Sequence, residues 1–465
     1  VVSSGTKRQN TAIGADNHTS TEHPWFKKAL EGNPEYMDYY IFREGSPDAP
    51  PTNWQSKFGG NAWEYVPRLK KWYLHLFDVS QADLNWDNPR VRQELKEVIL
   101  FWKAKGVKGF RFDVVNLISK PDIFEDDHKG DGRRFYTDGP RVHEYLQELV
   151  RDTGIEDMVT VGEMSSTTLD NCIRYSRPED RELSMCFNFH HLKVDYRDGD
   201  KWKLMEPDLV RLKQLFMEWQ EGMERENGWN AVFWCNHDQP RAISRFGDDG
   251  RYWKESAKML ATVIHMFRGT PYVYQGEELG MTNPHYVDIS QYRDVESINY
   301  YRILTEQGIT GEEALKVLAA RSRDNGRTPM QWDGSRYAGF SQGEPWIGIP
   351  ENHSYINAQA EAADSGSILN YYKRLIALRK EYKVISEGEI EFIYREHPQV
   401  LAYRRSCQGQ ELVVLANMKA SAADLGEKPE LEGYRQLIGN YAGAECEQTL
   451  EQLKPYECRV YIRTL

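Results

Sequence analysis

The chain has 465 residues, 28% of them charged, with 71 acidic side chains against 59 basic ones and a formal net charge of −12. That balance excludes a general nucleic-acid binder, which needs a basic footprint. A mean hydropathy of −0.71, with no apolar run near the roughly 18–20 residues of a bilayer span, excludes a membrane-spanning helix.

The six cysteines form no CxxC pair and no metal-finger spacing, as expected in a reducing cytosol, so a cytoplasmic location is expected. Residues 19–86, rich in Trp, Tyr, Pro, Asn and Gly ("PPTNWQSKFGGNAWEY"), read as an irregular excursion after a short segment 1–18. From residue 87 helices and strands alternate. Pro89 opens a helix with Val91, Leu95, Val98, Ile99 and Trp102 at helical spacing, ended by Gly106. "GVKGFRFDVV" is the following strand, Pro140 to Gly154 the next helix, and "MVTVGE" the next strand. "SMCFNFHH", "NAVFWCNHD" and "TPYVYQGEE" repeat the form. Strands separated by helices predict a parallel barrel or a doubly wound sheet over 87–384. Within it, the long segment 282–355 ("RDNGRTPMQWDG") is expected to cover the barrel mouth. Short strands such as "ELVVLANM" and "RVYIRTL" predict an all-β domain over 385–465.

The strand ends carry the chemistry. In a barrel, reacting groups sit at the carboxyl ends of strands. Arg111 and Asp113 are two apart, so on a strand they point the same way, and a guanidinium keeps a neighbouring carboxylate ionised for nucleophilic attack. Glu163 ends an apolar approach, which raises a carboxyl pKa and suits an acid. Asp238 follows His237 at a third strand end. One ionised and one protonated carboxyl group about 5–5.5 Å apart are what retaining glycoside hydrolysis requires. Structural salt bridges and solvated acids account for the same pattern.

"GFRFDVVNLISK", "VGEMSS" and "WCNHDQPR" resemble the motifs of the α-amylase family of glycoside hydrolases, joined by "DNHTS", "QADLNW" and "GTPYVYQGEELGM". The resemblance implies a (β/α)8 barrel with an inserted domain B and a C-terminal β-sandwich domain. It implies Asp113 as nucleophile, Glu163 as general acid/base and Asp238 as transition-state stabiliser, with His18, Arg111, His237 and Arg241 binding substrate. No cofactor is implied; a structural calcium ion occurs in the family, in a loop not found in this sequence. The family barrel has two strands before the one preceding "NHTS", so the barrel is expected to be N-terminally incomplete here. Residues 1–18 are then expected as a remnant of the third barrel strand, poorly matched because "TKRQNTAIGAD" reads as a poor buried strand.

"FNFHHLKVDYRDGDKW" (187–202) concentrates His190, His191, Lys193 and Lys201 in an acidic chain. Solvated surface explains most such clusters, but lysines also bind phosphate as point charges. With "GFRFDVVNLISK" and "FYTDGPRVHEYL", this stretch is similar to the family members that act on α,α-trehalose 6-phosphate. That implies retaining hydrolysis of this small-molecule substrate to glucose and glucose 6-phosphate, with His190, His191, Lys193 and Lys201 near the phosphate. Two alternatives stay open: an oligo-1,6-glucosidase acting on unphosphorylated sugars, and a non-catalytic binding or scaffold protein. No nucleic-acid or membrane partner is expected, and the oligomer is monomer or dimer. The loop "DDHKGDG" (126–132) reads as solvated acids rather than a calcium loop.

Overall fold

The computed structural model describes residues 11–15, 17–441 and 450–465. Residues 1–10, Asp16, and 442–449 with Cys446 lie outside them, and with these most of the predicted segment 1–18. The chain divides into two compact units: residues 1–189 with 225–231, and residues 190–224 with 232–465.

The first unit is built on a parallel sheet ordered Thr11–Ala15, Gly109–Asp113, Val159–Glu163, Met185–Phe187. Cys186 bridges Asn230 in parallel beyond it. Within the expected, poorly matched remnant of a barrel strand, Thr11–Ala15 is a full strand, each residue partnered along Gly109–Asp113. A neighbouring parallel strand imposes the extended conformation whatever the local propensity. The helix Pro89–Ala104 has Pro89 in its first turn and is capped by Asn88, whose side chain accepts from the Arg90 N–H at 2.9 Å. It buries Val91, Leu95 and Ile99, whereas Val98 and Trp102, expected on the same face, are exposed. The helix Val142–Thr153 ends at Gly154 in the left-handed region, as its glycine predicts.

The excursion after His18 is tied at its neck. His18–Ser20 pairs antiparallel with Gln81–Asp83, bringing "NHTS" against "QADLNW". Between them lies a three-stranded antiparallel sheet, Phe42–Glu44, Lys71–Leu74 and Trp63–Val66. Trp54, Trp63, Leu74, Leu117 and Tyr136 form its core. In the loop 126–132, Asp127 accepts from the Lys129 and Gly132 N–H groups and from Arg134, so its carboxylate is spent on the loop itself.

In the second unit, Tyr272 N–H donates to Val232 O at 2.8 Å. The segment 282–355 is partly helical. It contains the helices Val295–Glu306 and Gly311–Arg321, the latter begun by a Thr310/Glu313 capping box. The C-terminal strands form a five-stranded antiparallel sheet and a two-stranded one, enclosing Val400, Val413, Leu415, Leu425, Leu453 and Tyr461. Arg405, fully buried, donates to the carbonyls of Met266, Ile385 and Gly388, fixing the sheet to the helix ends beneath it.

Candidate active site

Asp113 and Glu163 are the last residues of adjacent parallel strands, in a register that pairs Arg111 with Val161 and Phe112 with Gly162. Arg111 forms ion pairs with both carboxylates. The sequence reading gave it to Asp113 alone and left Glu163 in an apolar setting. The register changes that, because a side chain at the third position of one strand reaches the end of the next. Glu163 is 9% exposed, and the Asp113 side chain is 30% exposed.

Two backbone features hold these ends. Val114, directly after Asp113, lies in the left-handed region (φ 40°, ψ 38°), a conformation that costs a β-branched residue about 1–3 kcal/mol. Its side chain is buried with Trp54, Leu117 and Tyr136, which pin the turn. Gly162, just before Glu163, has no room for a Cβ, which would lie 2.4 Å from Met164 and 2.6 Å from Leu183.

His18 enters through the neck of the excursion. One ring nitrogen, Nε2, lies 2.8 Å from Gln81 Nε2, and the ring is 5.4 Å from that of Phe77. Nδ1 is buried without a hydrogen-bond partner among the described residues. Burial lowers its pKa against the opposing fields of Asp83 and Asp113, so the ring is neutral at pH 7 and suited to a hydroxyl. Asp83 anchors this strand from beneath, accepting from Asn17 Nδ2 at 3.0 Å and pairing with Lys120 at 2.9 Å.

In the second unit, Asp238 is the centre of a cationic clamp. His237 Nε2 is 3.2 Å from Asp238 Oδ2, and Arg327 and Arg323 reach Oδ1 at 2.8 and 3.2 Å. Burial penalises its charge, but His237, Arg323 and Arg327 outweigh that and hold the carboxyl below the usual range. The sequence reading quoted "RDNGRTPMQW" but assigned neither arginine; the two guanidiniums four residues apart were the available signal. Arg241 departs from expectation. It is 1% exposed and donates to the carbonyls of Gln275 and Asn325 and to Thr328, so it clamps loops and presents nothing to a ligand.

The basic stretch is sorted by the fold into different environments. His191 is buried among Phe216, Phe233 and Trp234, with Nε2 2.9 Å from the Phe233 carbonyl, and its pKa is pushed down to about 3 by that burial. It is a core residue and not a phosphate ligand. His190 lies against Trp219, ring centroids 4.9 Å apart, and burial with Lys193 and Arg211 nearby brings its pKa down to about 4. It too is uncharged at neutral pH. Lys193 is exposed. Lys201 is 2.7 Å from Glu296 and lies 4.7 Å over the Trp202 ring, and Glu296 in turn is 3.4 Å from Arg323. Lys203, which the sequence reading passed over, is the more open of the two: its side chain is 57% exposed and 3.9 Å from Asp198. The second lysine of "DKWK" was its only sequence signal.

Residues 14–388 match the α-amylase catalytic domain family. The chain is 52% identical over 443 residues to the trehalose-6-phosphate hydrolase of Escherichia coli K12, covering 95% of this chain and 80% of that protein. It is 45% identical over 458 residues to the oligo-1,6-glucosidase of Parageobacillus thermoglucosidasius, covering 96% and 81%. The crystal structure of Bacillus licheniformis trehalose-6-phosphate hydrolase superimposes with a TM-score of 0.92 at 52% identity, covering 97% of this chain and 83% of that one. The fold is thus the (β/α)8 barrel with a C-terminal β-sandwich domain, and the reading as a non-catalytic scaffold gives way to that of a glycosidase. With its catalytic-domain model matched over residues 14–388, the chain belongs to the α-amylase family.

Proposed function

We propose that the protein hydrolyses α,α-trehalose 6-phosphate to glucose and glucose 6-phosphate with retention of configuration. The observation that carries the chemistry is the pair of carboxyl groups ending adjacent parallel strands with Arg111 against both. Asp113 attacks the anomeric carbon of the unphosphorylated glucose while Glu163 delivers a proton to the departing glycosidic oxygen. Glu163, now a carboxylate, takes a proton from water, whose oxygen displaces Asp113 and releases glucose. His18 and His237 bind sugar hydroxyls, and the anionic Asp238 favours the oxocarbenium-like transition state.

The choice of a phosphorylated sugar rests on the lysines of one stretch, Lys201 and the 57% exposed Lys203 with Lys193 earlier in it, and on the 50–52% identity to two trehalose-6-phosphate hydrolases against 45% to an oligo-1,6-glucosidase. Each charge pair near 4 Å contributes about 4 kcal/mol at an effective dielectric of 20, before desolvation. Kinetics on trehalose 6-phosphate, trehalose, isomaltose and an aryl α-glucoside test the reading. Highest kcat/KM on trehalose 6-phosphate supports it, and preference for trehalose or isomaltose overturns it.

A further inference from the structure

The excursion of the first unit contains a cleft of about 480 Å³ that includes neither Asp113, Glu163 nor His18. That volume lies within the roughly 300–1,000 Å³ of small-molecule sites. Its walls combine aromatic rings (Phe42, Trp86, Phe124) with charged groups, and the charges are not equally occupied. Its three acids are already engaged. Asp38 accepts from Asn88 at 2.9 Å, Asp87 from Arg141 at 2.8 Å and from Tyr145, and Asp122 from Arg141 at 2.9 Å. Lys120 is held by Asp83 and Asn17. Among the described residues Lys71 has only a 3.1 Å pair with Glu44, which is 85% exposed, so it gives up little on rebinding. Arg43 is the exception. Its guanidinium lies 4.3 Å over Phe124 and donates one described hydrogen bond, to the Phe42 carbonyl at 2.8 Å, leaving most of its five donors. Phe124 is itself fixed against Trp54 and Trp63, so the stacked guanidinium is pre-organised.

We infer that this cleft is a second binding site, for a phosphorylated mono- or disaccharide, with the phosphate on Arg43 and Lys71 and the sugar against the aromatic wall. Arginine matches phosphate bidentately, and aromatic faces bind the apolar side of a sugar ring. The site is separate from the catalytic acids, so it stands whether or not the proposed substrate is correct.

The test is calorimetric titration of the whole chain with glucose 6-phosphate, and with glucose as the neutral control. Arg43→Glu is expected to bind one equivalent of glucose 6-phosphate fewer than the unaltered protein, one against two where the catalytic site also takes it and none against one where it does not, with aryl α-glucoside turnover within about 2-fold. Arg43→Lys, keeping the charge but losing the stack and fork, is expected to weaken the second site roughly 10-fold. An isotherm unchanged in Arg43→Glu overturns the proposal, and so does a second site that takes glucose as tightly as its phosphate. Loss of turnover on trehalose 6-phosphate with the second site intact would count against the catalytic reading alone.

Discussion

The strand ends at Asp113 and Glu163 and the basic stretch 190–203 both looked like functional clusters in the sequence, and the structure treats them differently. At the strand ends, sheet register fixes where each side chain lies, so neighbours in the motif become neighbours in space. In the basic stretch four charged or chargeable groups within twelve residues are dispersed. His191 goes to the core, His190 against Trp219 and Lys201 onto Glu296, while Lys193 stays at an exposed position. A period of two carries positional information through a strand; an irregular turn carries none, and its burial is decided by what packs on it.

The largest effect is expected at the strand ends. Asp113→Asn should lower kcat/KM by roughly 10⁴-fold or more on every substrate, since no covalent intermediate forms; retained turnover on an aryl α-glucoside would break the assignment. Glu163→Gln should cost about 10²–10⁴-fold on trehalose 6-phosphate and much less on an aryl glucoside, whose leaving group needs no proton. Equal losses on both would remove Glu163 from the acid role.

At the basic stretch the effects should be smaller and confined to one substrate. Lys201→Ala with Lys203→Ala is expected to raise KM for trehalose 6-phosphate about 10–100-fold, the worth of one or two charged hydrogen bonds, with aryl glucoside kinetics unchanged. A parallel loss on the aryl glucoside would mean that the lysines hold the loop rather than the ligand. His191→Asn is expected to leave that KM within about 2-fold while lowering Tm, because His191 is packed and not offered.

A buried acid outside both regions gives a pH test. Glu277 accepts from the Tyr372 hydroxyl at 2.9 Å, and burial pushes its pKa up to about 8 from 4.5. With the folded value raised, its contribution is fully present below 4.5 and is lost as pH rises toward 8, since the unfolded chain releases its proton first. Glu277→Gln should therefore gain Tm relative to the parent as pH rises from 5 to 8; a constant difference across that range would refute the shift.

The α/β alternation, the β-rich C-terminal region and the placing of Asp113 and Glu163 at strand ends were legible in the sequence because each depends on local periodicity or on a contiguous motif. Arg323 and Arg327 were not, because they lie 85 and 89 residues from the Asp238 they clamp, and no local pattern records that meeting. The strand Thr11–Ala15 matched its motif poorly for a related reason: its neighbour Gly109–Asp113, not its own residues, holds it extended.

By itself the sequence determined the order of elements and, through its contiguous motifs, the family and so the fold class, since strand period and motif spacing are properties of adjacent residues. Only the tertiary structure decided which positive charges face solvent. It buried His191 and Arg241, tied Lys201 to Glu296 and left Arg43 stacked over an open cleft. Burial and ion pairing depend on segments distant in the chain, and those meet only when the chain has folded.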